Sequence, residues 1–228
     1  MNAQLVKIAS RIRDRSLRTK VLKLLENPTI RIGGKRFSGL AIDKSPASIR
    51  YHHSYPGGFI EHTVALYELC MSLSGIVQKV YGCRVDRDLV ICGVLLHDIF
   101  KPVTYIQSDR AGYRRSGLAE RVDHLTLASA ALIQLGFPLD AVHVVTASHG
   151  QQYGPIGPMT IEALICHLGD YAEAKLNGDV LNAARFMVRE VTGEEPQNLS
   201  GKEAFAIVRT KTDKGWNGLR KYLSTTAS

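Results

Sequence analysis

The sequence predicts an all-α fold, a bundle of amphipathic helices with a short N-terminal helix and one small β-hairpin beside it. Three observations predict it. Apolar residues recur at three- and four-residue spacing through most of the chain, the mark of helices with one buried face. Asp, Thr and paired Gly residues stand where helices would begin, and Gly or Pro where they would end. Strand-like alternation is convincing only around Gly33 and Gly34.

Leu5, Ile8 and Ile12, then Leu17, Val21, Leu24 and Leu25, place residues 3–26 on one amphipathic helix, with a break near Arg15. Asn27 and Pro28 end it. The run TIRIGGKRFSGLAI alternates about Gly33 and Gly34, which predicts the hairpin. Gly57 and Gly58 open a helix to about Ser74, and Asp86 or Asp88 caps another that reaches His97. Pro102 to Glu120 reads as a loop rich in Gly, Arg and Tyr. Asp123 caps a helix to Leu135, Gly136 and Pro138 break it, and Asp140 caps the next, which ends near His149 and Gly150. QQYGPIGP is loop, and Met159 or Thr160 begins a helix to Leu176. Two further helices, near 179–191 and 202–223, flank the polar TGEEPQNLSG.

With 228 residues, 45% of them hydrophobic and 22% charged, the chain has enough apolar material for one well-cored domain, which sets it apart from disordered segments. The longest apolar stretch, Leu89 to Leu96, is too short to cross a bilayer, and MNAQLVKIASRIRDR lacks the apolar core of a secretory signal. Cys70, Cys83, Cys92 and Cys166 show no CxxC spacing and sit mostly among apolar residues, which predicts buried thiols and a cytoplasmic location. The net charge of +8 is uneven: residues 1–36 hold ten Lys and Arg against Asp14 and Glu26, and the remainder is neutral. Such an arm could attract RNA, an anionic substrate or an acidic partner. It also reads as a solvated helix face, since no aromatic residues interleave for base stacking.

Polar residues intrude on successive helices in a repeated way. His97 and Asp98 close the apolar run CGVLLHDIFKP just before Pro102. An imidazole and a carboxylate after a buried segment are costly unless paired or ligating. His62 follows Glu61 at the start of an apolar stretch, His124 and His149 stand at helix ends, and Asp170 interrupts IEALICHLGDYAEA. Each alone is more simply a satisfied core or surface residue. Together, on consecutive helices of one bundle, they favour a shared centre.

The order His62, His97-Asp98, Asp170 resembles the HD superfamily of metal-dependent phosphohydrolases. YHHSYPGGFIEHT, GVLLHDIFKP and ASHGQQYGPIGPMTIEALICHLGDYAEAK, in that order, are similar to the HD domains of bacterial 3′→5′ exoribonucleases and to the archaeal HD enzyme that opens the 2′,3′-cyclic phosphate of dihydroneopterin. The resemblance covers roughly Ser48 to Lys175. It implies an HD-domain helical bundle at 51–178, preceded by a basic helix and hairpin extension at 1–50 and followed by C-terminal helices at 179–228 that pack on the same domain. It implies that His62, His97, Asp98 and Asp170 bind a first metal, that Asp98 bridges a second, and that His124 and His149 complete that second site. Two positions depart from the pattern. Ser148 stands where the exoribonucleases carry a further His, so one ligand is missing, and Phe100 replaces the usual Gly before Lys101 and would reshape the pocket floor.

Mixed His and carboxylate ligation suits Mn²⁺ or Fe²⁺, with Zn²⁺, Co²⁺ and Ni²⁺ as alternatives, as one ion or two. Such a metal lowers the pKa of water towards about 7 and so supplies the nucleophile for a phosphate ester. The resemblance puts Asp98 and Lys101 in the catalytic role, Lys101 neutralising the phosphate, and places His53 and Gly58 among the substrate-binding residues. A Gly pair at a helix start lets backbone N–H groups approach an anion or simply makes a tight turn. Arg114 and Arg115 are candidates for a second anionic contact or a lid, or are solvated loop charges. Tyr105, Tyr113 and Tyr153 could stack a base or pterin ring. His143 is expected to face elsewhere, and His167 to support Asp170 from the same face.

The expected activity is hydrolysis of a small phosphorylated, nucleotide-like substrate, with a 2′,3′-cyclic phosphate preferred. The alternatives are RNA 3′-end trimming by a 3′→5′ exoribonuclease and a nucleotide-sensing HD module without catalysis. No membrane partner is expected.

Overall fold

A computed structural model describes residues 1–108, 112–196 and 198–226. The N-terminal stripe forms two helices, α1 (Ala3–Ala9) and α2 (Arg15–Glu26), and all seven of its apolar residues are buried. The break between them is stabilised from two sides. The Asp14 side chain caps α2 by accepting from the Leu17 N–H, and the Asp88 carboxylate accepts from the Arg13 and Asp14 amides at 2.8–3.0 Å. The hairpin follows as β1 (Ile30–Ile32) and β2 (Lys35–Phe37), with Ile32 opposite Lys35. Gly33 and Gly34 both hold positive φ, 55° and 78°, as a two-residue hairpin turn requires.

The bundle is built from α3 (Gly58–Tyr81), α4 (Arg87–Leu96), α6 (His124–Gln134), α7 (Leu139–Thr146) and α9 (Ile161–Thr192). α3 runs past the expected end at Ser74, because Val77 still packs on the core and only Gly82, at φ 64°, stops the helix. Short helices α5 (Lys101–Thr104) and α8 (Gly150–Tyr153) lie between the longer ones. The expected loop from 102 to 120 contains a second hairpin, β3 (Tyr105–Gln107) with β4 (Tyr113–Arg115), while 109–111 lie outside the described residues. α7 begins at Pro138 without a side-chain cap, and Asp140 sits inside its first turn.

α9 is one unbroken helix of 32 residues, roughly 48 Å long, where the sequence predicted an interruption after Leu176. Gly178 does not break it: Tyr51 packs flat there, so close that a Cβ would lie 2.5 Å from its ring. α10 (Gly201–Thr226) turns back along α9 with a kink at Gly215, φ 64°. Leu181, Ala184 and Val188 of α9 bury with Ala204, Ile207 and Leu219 of α10 in a core of their own, separate from the main bundle core. Close approach in the main core needs Gly93, where a Cβ would meet Val144 Cγ1 at 2.3 Å, and Gly169, where it would meet the Cys70 sulfur at 2.5 Å. Among the described residues no helix is long and apolar enough to cross a membrane.

Candidate metal centre

α4 is buried from Val90 through Leu96 and ends at His97, whose φ and ψ are still helical. The chain then tightens: Ile99 N–H donates to Leu96 O and Lys101 N–H to Asp98 O at 2.8 Å. Pro102 excludes a longer helix. This tight turn lets two adjacent side chains, His97 and Asp98, aim at the same point. α3 supplies His62, α9 supplies Asp170, and the helix starts at α6 and α8 supply His124 and His149.

The structure brings all six together. Asp170 Oδ1 lies 3.2 Å from His62 Nε2 and 3.6 Å from His97 Nε2, and its Oδ2 lies 3.4 Å from His149 Nε2. Asp98 Oδ2 faces His97 and His62 at 3.4 and 3.7 Å, while its Oδ1 faces His124 and His149 at 3.2 and 3.6 Å. Asp98 therefore stands between two overlapping donor sets, His62/His97/Asp98 and Asp98/His124/His149, with Asp170 and His149 closing a third with His97.

The donor set fits a divalent cation. Asp98 Oδ2 is met by the Lys101 ammonium, but Asp98 Oδ1 and His124 Nε2 are buried without a hydrogen bond, although nitrogens surround the carboxylate. Unpaired buried polar atoms of this kind are expensive. His97 Nδ1–H donates to the Val94 carbonyl at 3.1 Å and His62 Nδ1–H to Glu173 Oε2 at 2.5 Å, which turns each Nε2 inward. Those two Nε2 atoms are 3.3 Å apart, too close to point protons at each other, and a cation between them removes the conflict.

The charges are strongly coupled. Burial pulls the His62 and His97 imidazoles down, but carboxylates outweigh it: Asp170 and Glu173 raise His62 to about 9, and Asp98 and Asp170 raise His97 to about 10. Burial likewise opposes ionisation of Asp98 and Asp170, yet neighbouring cations hold both well below the usual carboxylate range, His97 and Lys101 for Asp98, His62 and His97 for Asp170. Lys101 sits 2.5 Å from Asp98 Oδ2. Burial pulls it down, Asp98 outweighs this, and it is raised and stays a cation.

Comparison with known proteins fits this geometry. The HD domain profile matches residues 59–175, just over half of the chain. The chain belongs to the HD-domain family. It is 34% identical over 212 residues to the dihydroneopterin 2′,3′-cyclic phosphate phosphodiesterase of Methanocaldococcus jannaschii, covering 93% of this chain and 84% of that one. It is 28% identical to the 3′-5′ exoribonucleases YhaM of a Geobacillus species and of Listeria monocytogenes, over 58% of this chain but only 42% and 43% of theirs. No solved structure matches it. As an HD protein it is a metal-dependent phosphoric ester hydrolase, and its buried His/Asp cluster suits a divalent metal.

A cleft of about 840 Å³ opens over the HD cluster, with Lys101, Asp170 and His149 on its floor. Tyr51, Tyr153 and Tyr171 form its walls, respectively 38%, 75% and 61% exposed. Four expected substrate contacts are not among its lining residues. His53, 1% exposed, instead places Nε2 3.4 Å from Glu173 Oε1 and donates its N–H to Asn177, so it braces the carboxylate that grips His62. The Gly58 N–H is spent on the Tyr55 carbonyl, and its Cα is pressed so tightly on His53 that a Cβ would lie 2.1 Å from that carbonyl oxygen. Arg114 and Arg115 are exposed on β4, opposite Ile106 and Tyr105. Phe100 is in the main core and does not shape the cleft floor, and Ser148 turns its hydroxyl to the Val145 carbonyl.

Tyr113 is occupied elsewhere, donating to the Lys44 carbonyl. His143 accepts from the Met159 N–H away from the centre, whereas His167 holds the Ser148 carbonyl and so braces the turn carrying His149 and not Asp170. Sequence reasoning missed Glu173, Asn177, Tyr51 and Tyr171. Asp170, Glu173 and Asn177 recur at helical spacing on one face of α9, and that polar stripe on a buried face was the available signal.

Proposed function

We propose that this HD protein hydrolyses a phosphodiester of a small, ring-bearing, nucleotide-like molecule, with a 2′,3′-cyclic phosphate as the preferred substrate. The observation that carries the reading is that the six-residue cluster reaches a cleft lined by three tyrosines through two of its members, His149 and Asp170. The activity printed for the Methanocaldococcus jannaschii relative supports it. His62, His97, Asp98 and Asp170 would hold a first ion and His124 and His149 a second, with Asp98 between them. The mixed imidazole and carboxylate donors favour Mn²⁺ or Fe²⁺. Such a cation supplies Lewis acidity and a nucleophilic water at neutral pH.

The chain's own residues do the rest. Lys101, a permanent cation at the cleft floor, neutralises charge that develops on the phosphoryl oxygens. His52 opens on the same cleft and is pushed down to about 2, by burial first and then by the His62 and Lys101 charges. It is therefore a neutral imidazole that can hydrogen-bond a substrate oxygen. The tyrosines orient the ring and exclude water from the phosphate.

RNA 3′-end trimming is the second reading, favoured by the similarity to the YhaM exoribonucleases, but the chain spans less than half their length. None of the ten basic residues of the N-terminal arm lines the cleft, which supports the small-molecule reading. The unbridged Cys70, Cys83, Cys92 and Cys166 support a reducing, cytoplasmic setting. The test is metal analysis of the purified protein, followed by assay of 2′,3′-cyclic, 3′,5′-cyclic and monoester substrates with Mn²⁺ or Fe²⁺. The 2′,3′-cyclic phosphates should turn over fastest and Asp98→Asn should abolish activity. Absence of bound metal, or activity indifferent to that substitution, sinks the proposal.

A further inference from the structure

A second cleft, about 560 Å³, lies further along α9 and shares no lining residue with the metal-centred one. Arg185 on α9 is fifteen residues from Asp170, roughly 22 Å at the helical rise. The loop before α3 divides the two spaces: Tyr51 and His52 face the metal side, whereas Arg50 and Ser54 face the second cleft.

Among the described residues, Arg50, Arg185 and Arg189 line this cleft, with Glu195 as the one carboxylate. Like charges gathered at one place repel unless something anionic offsets them. Among the described residues, the arginine that pairs with a carboxylate is Arg209, with Asp213, and none of these three does. Arg185 is also fixed in place. It donates from Nη2 to Ser54 Oγ at 2.8 Å and from Nη1 to the Arg50 carbonyl at 3.3 Å, and among the described residues the rest of its five-donor fork has no acceptor. A pre-set planar fork of this kind matches phosphate geometry. Beside it Phe186 is 49% exposed, with the Arg189 guanidinium 5.9 Å from its ring centroid. An exposed ring with a cation over it is a stacking platform for a second aromatic ring.

We propose that this cleft is a second ligand site, taking the phosphate of a mononucleotide on Arg50, Arg185 and Arg189 and its base against Phe186. The site is independent of the metal centre and of the activity proposed for it.

Full-length protein loaded with Mn²⁺ is titrated with adenosine 5′-monophosphate by calorimetry. One binding event should survive Asp98→Asn, and it should also survive removal of the metal from the wild-type protein by chelation, which covers a failure of the variant to fold. Arg50→Gln combined with Arg189→Gln should weaken that surviving event at least tenfold and flatten its salt dependence. The double variant should leave hydrolysis of bis-p-nitrophenyl phosphate within twofold. Inorganic phosphate should bind the same site at least tenfold more weakly than the nucleotide. Loss of all nucleotide binding when the metal centre is disabled overturns the proposal, as does unchanged binding by the double variant. Equal affinity for inorganic phosphate overturns the assignment of a ring-bearing ligand.

Discussion

Replacing Glu173 with glutamine is expected to weaken metal binding about tenfold, and replacing it with alanine by up to about 100-fold, the range found when the outer partner of a ligating histidine is removed. Glu173 Oε2 takes the Nδ1 proton of His62 at 2.5 Å, and its other oxygen is braced by His53 at 3.4 Å. His62 is fully buried and Glu173 8% exposed, so the contact is barely screened by water. Glutamine keeps the shape and one acceptor but not the charge that makes Nε2 a stronger donor to the metal. Alanine also frees the ring to rotate, which separates a charge effect from an orientation effect. In free energy the two outcomes are about 1.4 and 2.7 kcal/mol. A chelating dye in competition for Mn²⁺ measures the Kd of each variant directly. Folded Glu173→Ala protein that binds metal within twofold of wild type would refute the idea that the outer carboxylate orients His62.

Proton release should accompany metal uptake, because His62 and His97 are raised to about 9 and 10 without metal and must shed protons to ligate. Calorimetry at pH 7.5 in buffers of different ionisation enthalpy should show it, and metal affinity should fall as pH drops. The same raised values make the metal-free fold gain stability from these histidines fully below about 6.5, a gain lost as pH rises through about 9 and 10, which denaturant titrations across that window can follow. Tyr153→Ala and Tyr171→Ala should each raise KM for a cyclic nucleotide by about 2- to 10-fold, the value of one ring contact, and leave glycerol cyclic phosphate unaffected. Equal effects on both substrates would remove the stacking role. Gly93→Ala should cost about 1–3 kcal/mol by forcing Val144 and Cys166 apart, and Val144→Ala in the same chain should recover part of the lost Tm. Glu203 accepts from the Ser200 amide and hydroxyl, and Ser200 holds its carboxyl below the usual range. Glu203→Gln should therefore lower Tm at neutral pH, with the difference shrinking as pH falls below about 4.3.

Helices were legible in the chain because their causes are local: an apolar stripe such as Leu17, Val21, Leu24 and Leu25, and a cap such as Asp123 before His124. The six clustered residues were legible for a related reason, since each puts a costly polar group at the margin of an apolar run. The errors came where long-range packing overrode local signals. The helix expected to end at Leu176 runs on, and Gly178 just beyond it is the seat of the Tyr51 ring. Asp88 looked like an alternative cap for α4 and in fact accepts from Arg13 and Asp14 at the break between α1 and α2.

By itself, then, the order of residues determined a helical HD bundle and the polar set that meets at its centre. Which ring nitrogens turn inward, that Glu173 grips His62, and that His53 and Gly58 brace the loop while Tyr51 and His52 face the cleft were decided only by the tertiary structure. The physical reason is that hydrogen-bond partners distant in sequence, such as Glu173 for His62, are chosen by which helices cross. Gly93 and Gly169 fix those crossings by letting backbones approach where any side chain would collide.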